Sequence, residues 1–471
     1  MTQEGSRSRI FLLYLYIDIY TKFIKSLKKV KMKKIGFLVG ISFLGVFCLS
    51  FFAFAQQEEG QTLTLSISDA ISMALEESED LQLSENEVRQ YQSEKKEELS
   101  DALPQIGGLV QWSNNFQYPN IPATAGTKEY HLDTGISVSQ ALFTFGEISS
   151  AVTAAKKAVE ASRYDKQSTE QGIVYHAKLA YYNTHLAKRT LEISQESYEN
   201  AKENKEILEK RSAQGRVSKY DNIKISADIS SRIPTVSNAR ADFASAMDAL
   251  KVAVGAQKKD TVNLSQGFAQ AYPDFDRDQL ALLLYHHQPA IRALEKMIDE
   301  KQFLVASKRA ALFPDISAFA TWNRTGGSSE HYVKNNDMYD YGVAGLKIDV
   351  PIWSGGIDRE KLYQARLDKQ EAELEYQKGK KDYLLMLDQA LSKYQEYRNT
   401  LKANVETIHW AEEFFKYSQE LLGTGQISLT DLNDAELQLT GAKINKEVTL
   451  FNLSIILAQI ERLTLTGRKY E

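Results

Sequence analysis

Apolar and polar positions follow a helical period over two very long stretches of the chain, residues 147–212 and 357–422. At a rise of about 1.5 Å per residue, each stretch forms a helix on the order of 100 Å long, which is typical of coiled coils. Shorter helical patterns follow at residues 218–253 and 428–465. Each long helix is therefore predicted to turn back as an antiparallel hairpin, and Pro234 is expected to kink or break the first return helix.

Two shorter helices are predicted ahead of the regions in which the period changes. The first runs from a cap at Ser68 and Asp69 to the residue before Pro104, and the second from about Arg277 to Leu312. Residues 56–64, which precede the first helix, are expected to be extended.

After each of these helices, apolar and polar positions alternate, which indicates β-strands. In the first region the apolar positions are Ile106, Val110, Trp112 and Phe116, followed after a polar connector by Leu132, Ile136, Val138 and Leu142. In the second region, an alternating segment at 314–323 is followed by one with Ala344, Leu346, Ile348 and Val350 on one face. Two β-hairpins with strands of membrane-spanning length are predicted, at residues 104–144 and 314–353.

The second half of this pattern repeats the first at an offset of 210 residues. Leu103-Pro104-Gln105-Ile106 matches Phe313-Pro314-Asp315-Ile316, and Phe143-Thr144-Phe145-Gly146 matches Trp353-Ser354-Gly355-Gly356. No insertion is needed from about Leu81 to Asp221. The chain is therefore predicted to be a tandem duplication, with too few copies for a solenoid.

The turn of each long hairpin carries the same seven-residue motif. It consists of a glycine, any residue, an aliphatic residue, a serine, any two residues and an aspartate. The predicted tips are Gly215, Arg216, Val217 and Ser218 in the first copy, and Gly425, Gln426, Ile427 and Ser428 in the second. Glycine ends a helix readily, and serine and aspartate are favoured at the start of the next one. A plain helical connection would also explain the motif.

The first 55 residues differ from the rest. Three lysines, at positions 31, 33 and 34, precede an apolar run at 35–52, and small residues close it at Ala53-Phe54-Ala55. This pattern is typical of a secretory signal peptide cleaved before Gln56, with an uncleaved anchor as the alternative. Either Met1 or Met32 is a possible start.

Charge and cysteine content narrow the function classes. The leader holds nine of the 57 Lys and Arg residues and two of the 62 Asp and Glu residues, so the remainder has a net charge of −12. An acidic exported protein is a poor candidate for binding nucleic acid. The only cysteine, Cys48, lies in the leader, which excludes disulfides and thiolate metal sites from the mature chain.

No segment after the leader has eighteen consecutive apolar residues, so a membrane contact would have to use strands. Four strands cannot close a barrel without leaving backbone groups unpaired in hydrocarbon. Three copies would supply about twelve strands, within the range of outer-membrane barrels. The predicted fold is therefore an α+β chain that forms a cyclic homo-oligomer, with a trimer as the natural choice.

Three duplicated features follow one another in this order: the strand entries Leu-Pro-Gln-Ile and Phe-Pro-Asp-Ile, the strand exits Leu-Phe-Thr-Phe-Gly and Ile-Trp-Ser-Gly-Gly, and the two tips. Together they resemble the outer-membrane efflux protein family, the TolC-like channels. The resemblance covers nearly all of the chain after the leader. It implies a trimer with a shared outer-membrane β-barrel, continued by an α-helical coiled-coil tunnel through the periplasm. It also implies that the tips contact a periplasmic adaptor (membrane fusion protein) and that an inner-membrane pump drives transport. The domains would be a leader at 1–55, a first repeat at 56–255, a linker at 256–276 and a second repeat at 277–471.

In the family, carboxylates just after the second tip narrow the periplasmic entrance, and the matching residues here are Asp431 and Asp434. Their spacing places both on one face of the returning helix. A three-fold ring of such carboxylates is expected to attract cations and to have raised pKa values. In the first copy Asp221 matches Asp431, but Lys224 replaces the second aspartate, and a simple capping role for Asp431 is the alternative. The Arg and Tyr that hold the entrance closed in many members have no match at Leu422, Gln426 and Ile427.

We expect no enzyme activity and no cofactor, because the chain has neither a phosphate-binding glycine loop nor a nucleophile elbow. The adjacent pair His286-His287 points to different faces of a helix and does not predict a metal site. The favoured function is a passive conduit for small-molecule efflux. A conduit for type I protein secretion and a periplasmic coiled coil without a channel remain as alternatives.

Overall fold

The computed structural model describes residues 62–115, 128–213, 218–330 and 332–465 of the 471-residue chain. The predicted leader lies outside these residues, as do Phe116 of the predicted first strand and most of the polar connector that follows it. All described elements belong to the compact unit that begins at Thr62.

In this part of the chain, eight α-helices form two series of four. The first series is α1 (Ile67–Glu77), α2 (Glu79–Ser100), α3 (Glu147–Ser212) and α4 (Lys219–Ala253). The second series is α5 (Arg277–His287), α6 (Pro289–Ala310), α7 (Ile357–Thr424) and α8 (Leu429–Thr464). Each helix of the second series begins 210 residues after its counterpart. Among these helices, none has an apolar stretch of the length and hydropathy needed to cross a membrane.

Four of the described strands form one antiparallel sheet. The strands of the chain are β1 (Thr62–Leu65), β2 (Gln105–Asn114), β3 (Tyr130–Phe143), β4 (Thr261–Leu264), β5 (Asp315–Ser328) and β6 (Met338–Asp349). The sheet has the order β2-β3-β5-β6, so the two predicted hairpins lie side by side. Ile106 on β2, Val138 on β3, Ala320 on β5 and Ala344 on β6 lie opposite one another and form one row. The predicted α+β fold with four long strands is confirmed.

The remaining two strands tie the beginnings of the two copies together. β1 and β4 pair in parallel, with Thr62 opposite Thr261. The fully buried Tyr181 of α3 holds them: its hydroxyl donates to the carbonyl of Leu65 at 3.2 Å and accepts from the backbone N–H of Gln266 at 3.0 Å. Part of the predicted linker at 256–276 is therefore a strand, which its short apolar pattern did not reveal.

The helix predicted from Ser68 to Pro104 is wrong in two respects. Its N-cap is Ser66, whose hydroxyl accepts from the backbone N–H of Asp69 at 3.1 Å. A second cap at Ser78 then divides the segment, because Ser78 has extended backbone and accepts from the N–H of Leu81 at 3.3 Å. Serine competes for backbone hydrogen bonds in this way and favours a new helix start.

The predicted helix from Arg277 to Leu312 is also divided, at Gln288 and Pro289. A residue before proline is pushed into extended backbone, and proline suits the first helical position. By contrast, α4 runs through Pro234, so of the two predicted outcomes, a kink or a break, the break is wrong. Ile225 and Arg232 before the proline and Ala239 after it are buried, and packing of this kind holds a helix across one missing hydrogen bond.

The two long hairpins, α3 with α4 and α7 with α8, join near their tips. All four helices contribute to one hydrophobic cluster there, including Leu208 of α3, Ile225 of α4, Phe415 of α7 and Leu432 of α8. Burial of such side chains contributes about 1.5–3 kcal/mol each. The tip regions of the two copies therefore form one packed end of the molecule.

Candidate functional site

The second tip is a compact turn between α7 and α8. Gly425 ends α7 with a φ of +87°, a left-handed conformation that favours glycine. Its N–H donates to the carbonyl of Leu422 at 3.0 Å, and the N–H of Gln426 donates to the carbonyl of Leu421 at 2.9 Å. These two bonds form a Schellman motif, which satisfies the last carbonyls of the helix.

Ser428 and Asp431 form a reciprocal capping box at the start of α8. The Ser428 hydroxyl accepts from the Asp431 N–H at 3.3 Å, and the Ser428 N–H donates to the Asp431 carboxylate at 3.0 Å. The hydroxyl and backbone N–H of Ser428, with a smaller effect of Lys224, lower the pKa of Asp431. In the single chain, hydrogen bonds to the ionised form outweigh desolvation. The rise expected for a three-fold ring of carboxylates stays a prediction.

Asp434 follows Asp431 after three residues on α8, and both are exposed. No described residue hydrogen-bonds to the Asp434 carboxylate, whereas Asp431 is engaged by its cap. The two predicted entrance residues therefore have different roles locally: Asp431 caps the helix, and Asp434 presents its charge to solvent. Of the other tip residues, Ile427 packs against the hydrophobic cluster, while Gln426 and Ser428 are exposed.

The first tip is described only in part. Gly215, Arg216 and Val217 lie outside the described residues. Ser218 caps α4, accepting from the Asp221 N–H at 3.1 Å and donating to the Asp221 carboxylate at 2.7 Å. The shared motif thus produces the same type of helix start in both copies.

Two cationic side chains of the first copy contact residues that flank the second tip, and sequence reasoning did not predict these contacts. Arg211, near the end of α3, donates to the carbonyl of Leu422 at 2.7 Å, and its guanidinium lies against Gly425. Lys224 of α4 donates to the hydroxyl of Thr430 on α8. Both contacts join residues more than 200 positions apart, which only the folded chain brings together.

A buried ion pair links the same hairpins further from the tips. Arg232 of α4 binds Glu436 of α8, which is fully buried, and also binds Asp228 at 3.0 Å. Ser197 of α3 donates to the Glu436 carboxylate at 3.1 Å. Burial raises the pKa of Glu436, and Arg232 opposes this rise. The signal that sequence reasoning overlooked is a charged residue at the seven-residue spacing of Ile225 and Ala239.

Among the described residues, no group of three or more His, Cys, Asp or Glu side chains is placed to hold a metal ion. The site therefore consists of helix caps, two carboxylates at the start of α8 and ion pairs between copies.

Long paired helices joined to a four-stranded antiparallel sheet are also the fold of solved outer-membrane proteins. The fold matches the CmeC outer membrane channel of Campylobacter jejuni with a TM-score of 0.73 and 19% identity, covering 84% of this chain and 85% of that one. It matches the outer membrane protein VceC of Vibrio cholerae with a TM-score of 0.73 and 17% identity, covering 84% and 96%.

The family model described as "Outer membrane efflux protein" matches residues 70–266 and 281–464, and the chain belongs to this family. The cation efflux system protein CusC of Escherichia coli K12 is 23% identical over 387 residues, 79% of this chain and 80% of that protein. The outer membrane efflux protein BepC of Brucella suis is 24% identical over 367 residues, 78% and 77% of the two chains. The predicted family and outer-membrane location, with the helical part in the periplasm, are confirmed.

Proposed function

We propose that the protein is a passive, homotrimeric conduit through which a tripartite system exports small molecules. An inner-membrane pump supplies the energy, and a periplasmic adaptor connects the pump to the helical end. The observation that supports this proposal concerns the two helical hairpins of each chain. Near the tips, one face of the first hairpin packs against the second hairpin, whereas the matching face of the second hairpin is uncovered. We also propose that the chain is organised as a leader at 1–55, a first repeat at 56–255, a linker at 256–276 and a second repeat at 277–471.

The outer edges of the four-stranded sheet, which are unpaired among the described residues, support an oligomer. Its outer strands, β2 and β6, have 10 and 12 residues, and each pairs on one side only within the described chain. Ile106 and Val110 of β2 and Leu346 and Ile348 of β6 are exposed apolar side chains. Unpaired strand edges in a membrane are costly, so β2 of one copy would pair with β6 of the next. Three copies then close a barrel of about twelve strands.

The helices support the same arrangement. Asn204 of α3 is fully buried against the second hairpin, where it accepts from Gln419 at 3.1 Å. Its counterpart 210 residues later, Phe414 of α7, is 46% exposed and lines an open groove of about 650 Å3. Trp410 and Leu437 line the same groove and are 69% and 62% exposed. An apolar face of this kind is typical of an interaction surface.

The duplication indicates which surface covers this groove. Within one chain, Glu436 of α8 lies against Ser197 of α3. The counterparts of these residues are Ser226 of α4 and Thr407, which lines the groove. We infer that α4 of the next copy lies in the groove with Ser226 near Thr407. Repeating this head-to-tail contact closes a ring.

In this ring, Asp431 and Asp434 of each copy surround the periplasmic entrance. Within one chain, the hydrogen bonds from Ser428 lower the pKa of Asp431 and favour its ionised form. A ring of carboxylates in a narrow opening attracts and retains cations, so divalent cations are expected to block the entrance. The two tips, Gly215 to Ser218 and Gly425 to Ser428, are the proposed adaptor contacts. CusC is described as part of a cation efflux system and CzcC of Cupriavidus metallidurans as a cobalt-zinc-cadmium resistance protein, which favours inorganic cations among small-molecule cargos.

A cysteine cross-link tests the ring directly. The only cysteine lies in the leader, so Ser226→Cys combined with Thr407→Cys introduces the two thiols of the mature chain. Oxidation is expected to join chains into a covalent trimer, and each single variant serves as a control that stops at dimers or monomers. The purified trimer should also conduct ions in a planar lipid bilayer. A monomer that neither cross-links nor conducts would contradict the proposed function.

A further inference from the structure

Arg232, which forms the buried ion pair with Glu436, belongs to an otherwise apolar row of buried residues on α4. On α4, the buried residues Ile225, Arg232, Ala239 and Ala246 recur every seven positions, which is the spacing of a coiled-coil core. Arg232 is only 8% exposed and is the one charged residue in this series. A single polar residue at such a core position specifies the register of the helices, because any shifted register leaves it unpaired.

Its partner is equally constrained. Glu436 is fully buried, and one carboxylate oxygen accepts from both Arg232 and Ser197. The other oxygen has no hydrogen-bond partner among the described residues. A displaced Glu436 would therefore be a buried charge without compensation, and such states are strongly disfavoured.

The pair is a contact between the copies and not a property of each hairpin. Position 442, the counterpart of Arg232, is alanine, and position 226, the counterpart of Glu436, is serine. The second hairpin therefore has no charge at the position that matches Arg232, and the first has none at the position that matches Glu436. The ion pair is therefore available to set how the two hairpins lie against one another.

Glu436 lies within two helical turns of the entrance carboxylates on α8, with its side chain buried while theirs are exposed. It follows Asp434 by two residues and Asp431 by five. Because one residue corresponds to about 100° of rotation and 1.5 Å of rise in a helix, any slip at Glu436 moves Asp434 to another direction. We propose that Arg232 and Glu436 are positioning residues, which fix the register of α8 against the first hairpin and thereby aim Asp434 into the entrance.

This inference rests on the proposed function, and planar-bilayer recordings of the purified full-length channel test it with Mg²⁺ as the blocking ion. Glu436→Gln removes the charge and keeps the shape. It is expected to raise the half-blocking Mg²⁺ concentration about tenfold and to give several conductance levels, although Asp431 and Asp434 are intact. Glu436→Asp, which retains the charge but shortens its reach, should give an intermediate result.

The double variant Arg232→Met with Glu436→Leu separates positioning from stability. Replacing a buried ion pair by apolar residues is often neutral or stabilising, so its thermal unfolding midpoint should equal or exceed that of the original chain. Mg²⁺ block should nevertheless be weakened about tenfold, because the charged pair that favours this register is then absent. A double variant with normal block and a single conductance level would overturn the inference, including when Glu436→Gln fails to fold.

Two controls separate the possible failures. Lys443 and Glu196 form an exposed ion pair at 2.8 Å between α8 and α3, and changing both to Gln should leave Mg²⁺ block unchanged. Asp434→Asn tests the entrance itself. If Asp434→Asn leaves block unchanged, the proposed entrance is wrong; if it weakens block while the double variant does not, only the positioning role is wrong.

Discussion

The two helical hairpins share one motif at their tips but differ in the charged residues that flank it. Both use a serine cap that is engaged by an aspartate three residues later. The first tip is flanked by Arg211 and Lys224, whose counterparts in the second copy are Leu421 and Asp434. The second tip therefore presents carboxylates while the first supplies cations that contact its backbone and hydroxyl groups.

This difference shows how a duplicated hairpin becomes an asymmetric pair. The caps and the apolar seam are common to the copies, since each hairpin needs them in order to fold. The charges differ because they act between copies: Arg232 with Glu436, and Lys224 with Thr430. Changes at these positions are expected to alter the pairing of the hairpins more than the hairpins themselves.

The largest effect is expected from Arg232→Ala. It leaves Glu436 buried without its partner, and breaking a buried pair in this way costs about 3–5 kcal/mol of unfolding free energy. Denaturant unfolding of the purified protein measures this loss. Lys443→Ala, which breaks the more exposed ion pair on the same helix, should cost about 1 kcal/mol or less. Equal losses in the two variants would show that burial of the Arg232 pair contributes nothing extra.

The next effect concerns the charge difference at one repeat position. Asp434→Asn is expected to weaken Mg²⁺ block of the channel about tenfold, because it removes one carboxylate per chain from the entrance. Lys224→Asp gives the first copy the residue of the second and should strengthen block, since the ring then gains carboxylates. Planar-bilayer titrations measure both. Changes in the same direction would contradict the complementary roles of positions 224 and 434.

A smaller effect is expected at the glycine of the second tip. Gly425→Ala places a side chain at a φ of +87° and should cost about 1 kcal/mol of unfolding free energy. Its added Cβ would also lie 2.5 Å from the Arg211 guanidinium and disturb the bond to Leu422. Gly423→Ala is the control: it lies in the helix with open space around its Cβ and should be neutral or stabilising. The thermal unfolding midpoints of the two variants measure this difference. A lower midpoint for Gly423→Ala than for Gly425→Ala would contradict the prediction.

The smallest effect is a dependence on acid. Because the folded state lowers the pKa of Asp431, its cap stabilises the protein above the unfolded pKa of 3.8 and is lost as pH falls through the lower folded value. The stability difference between the original chain and Asp431→Asn should therefore shrink only at strongly acidic pH. Thermal unfolding across this range measures it. A difference that disappears near pH 6 would indicate the raised pKa expected from a ring of carboxylates.

Local sequence patterns predicted much of the fold but not the contacts between distant positions of the chain. The long helices, the four alternating strands and the capping serines at 218 and 428 depend on neighbours within a few residues, so the sequence is sufficient to predict them. The divisions at Ser78 and Gln288 were missed because the apolar pattern continues across them. Strand β4 was missed because four residues are too few for a pattern, and its partner β1 lies about 200 positions away.

By itself, the sequence determined the duplication, the helix and strand periods, the two tips and the family. The tertiary structure alone decided that Arg211 contacts Leu422, that Glu436 is buried against Arg232, and that Phe414 is exposed while Asn204 is covered. The physical reason is range. Helix periods and caps arise from hydrogen bonds over three to five residues, whereas burial and ion pairing depend on which distant surface covers a side chain.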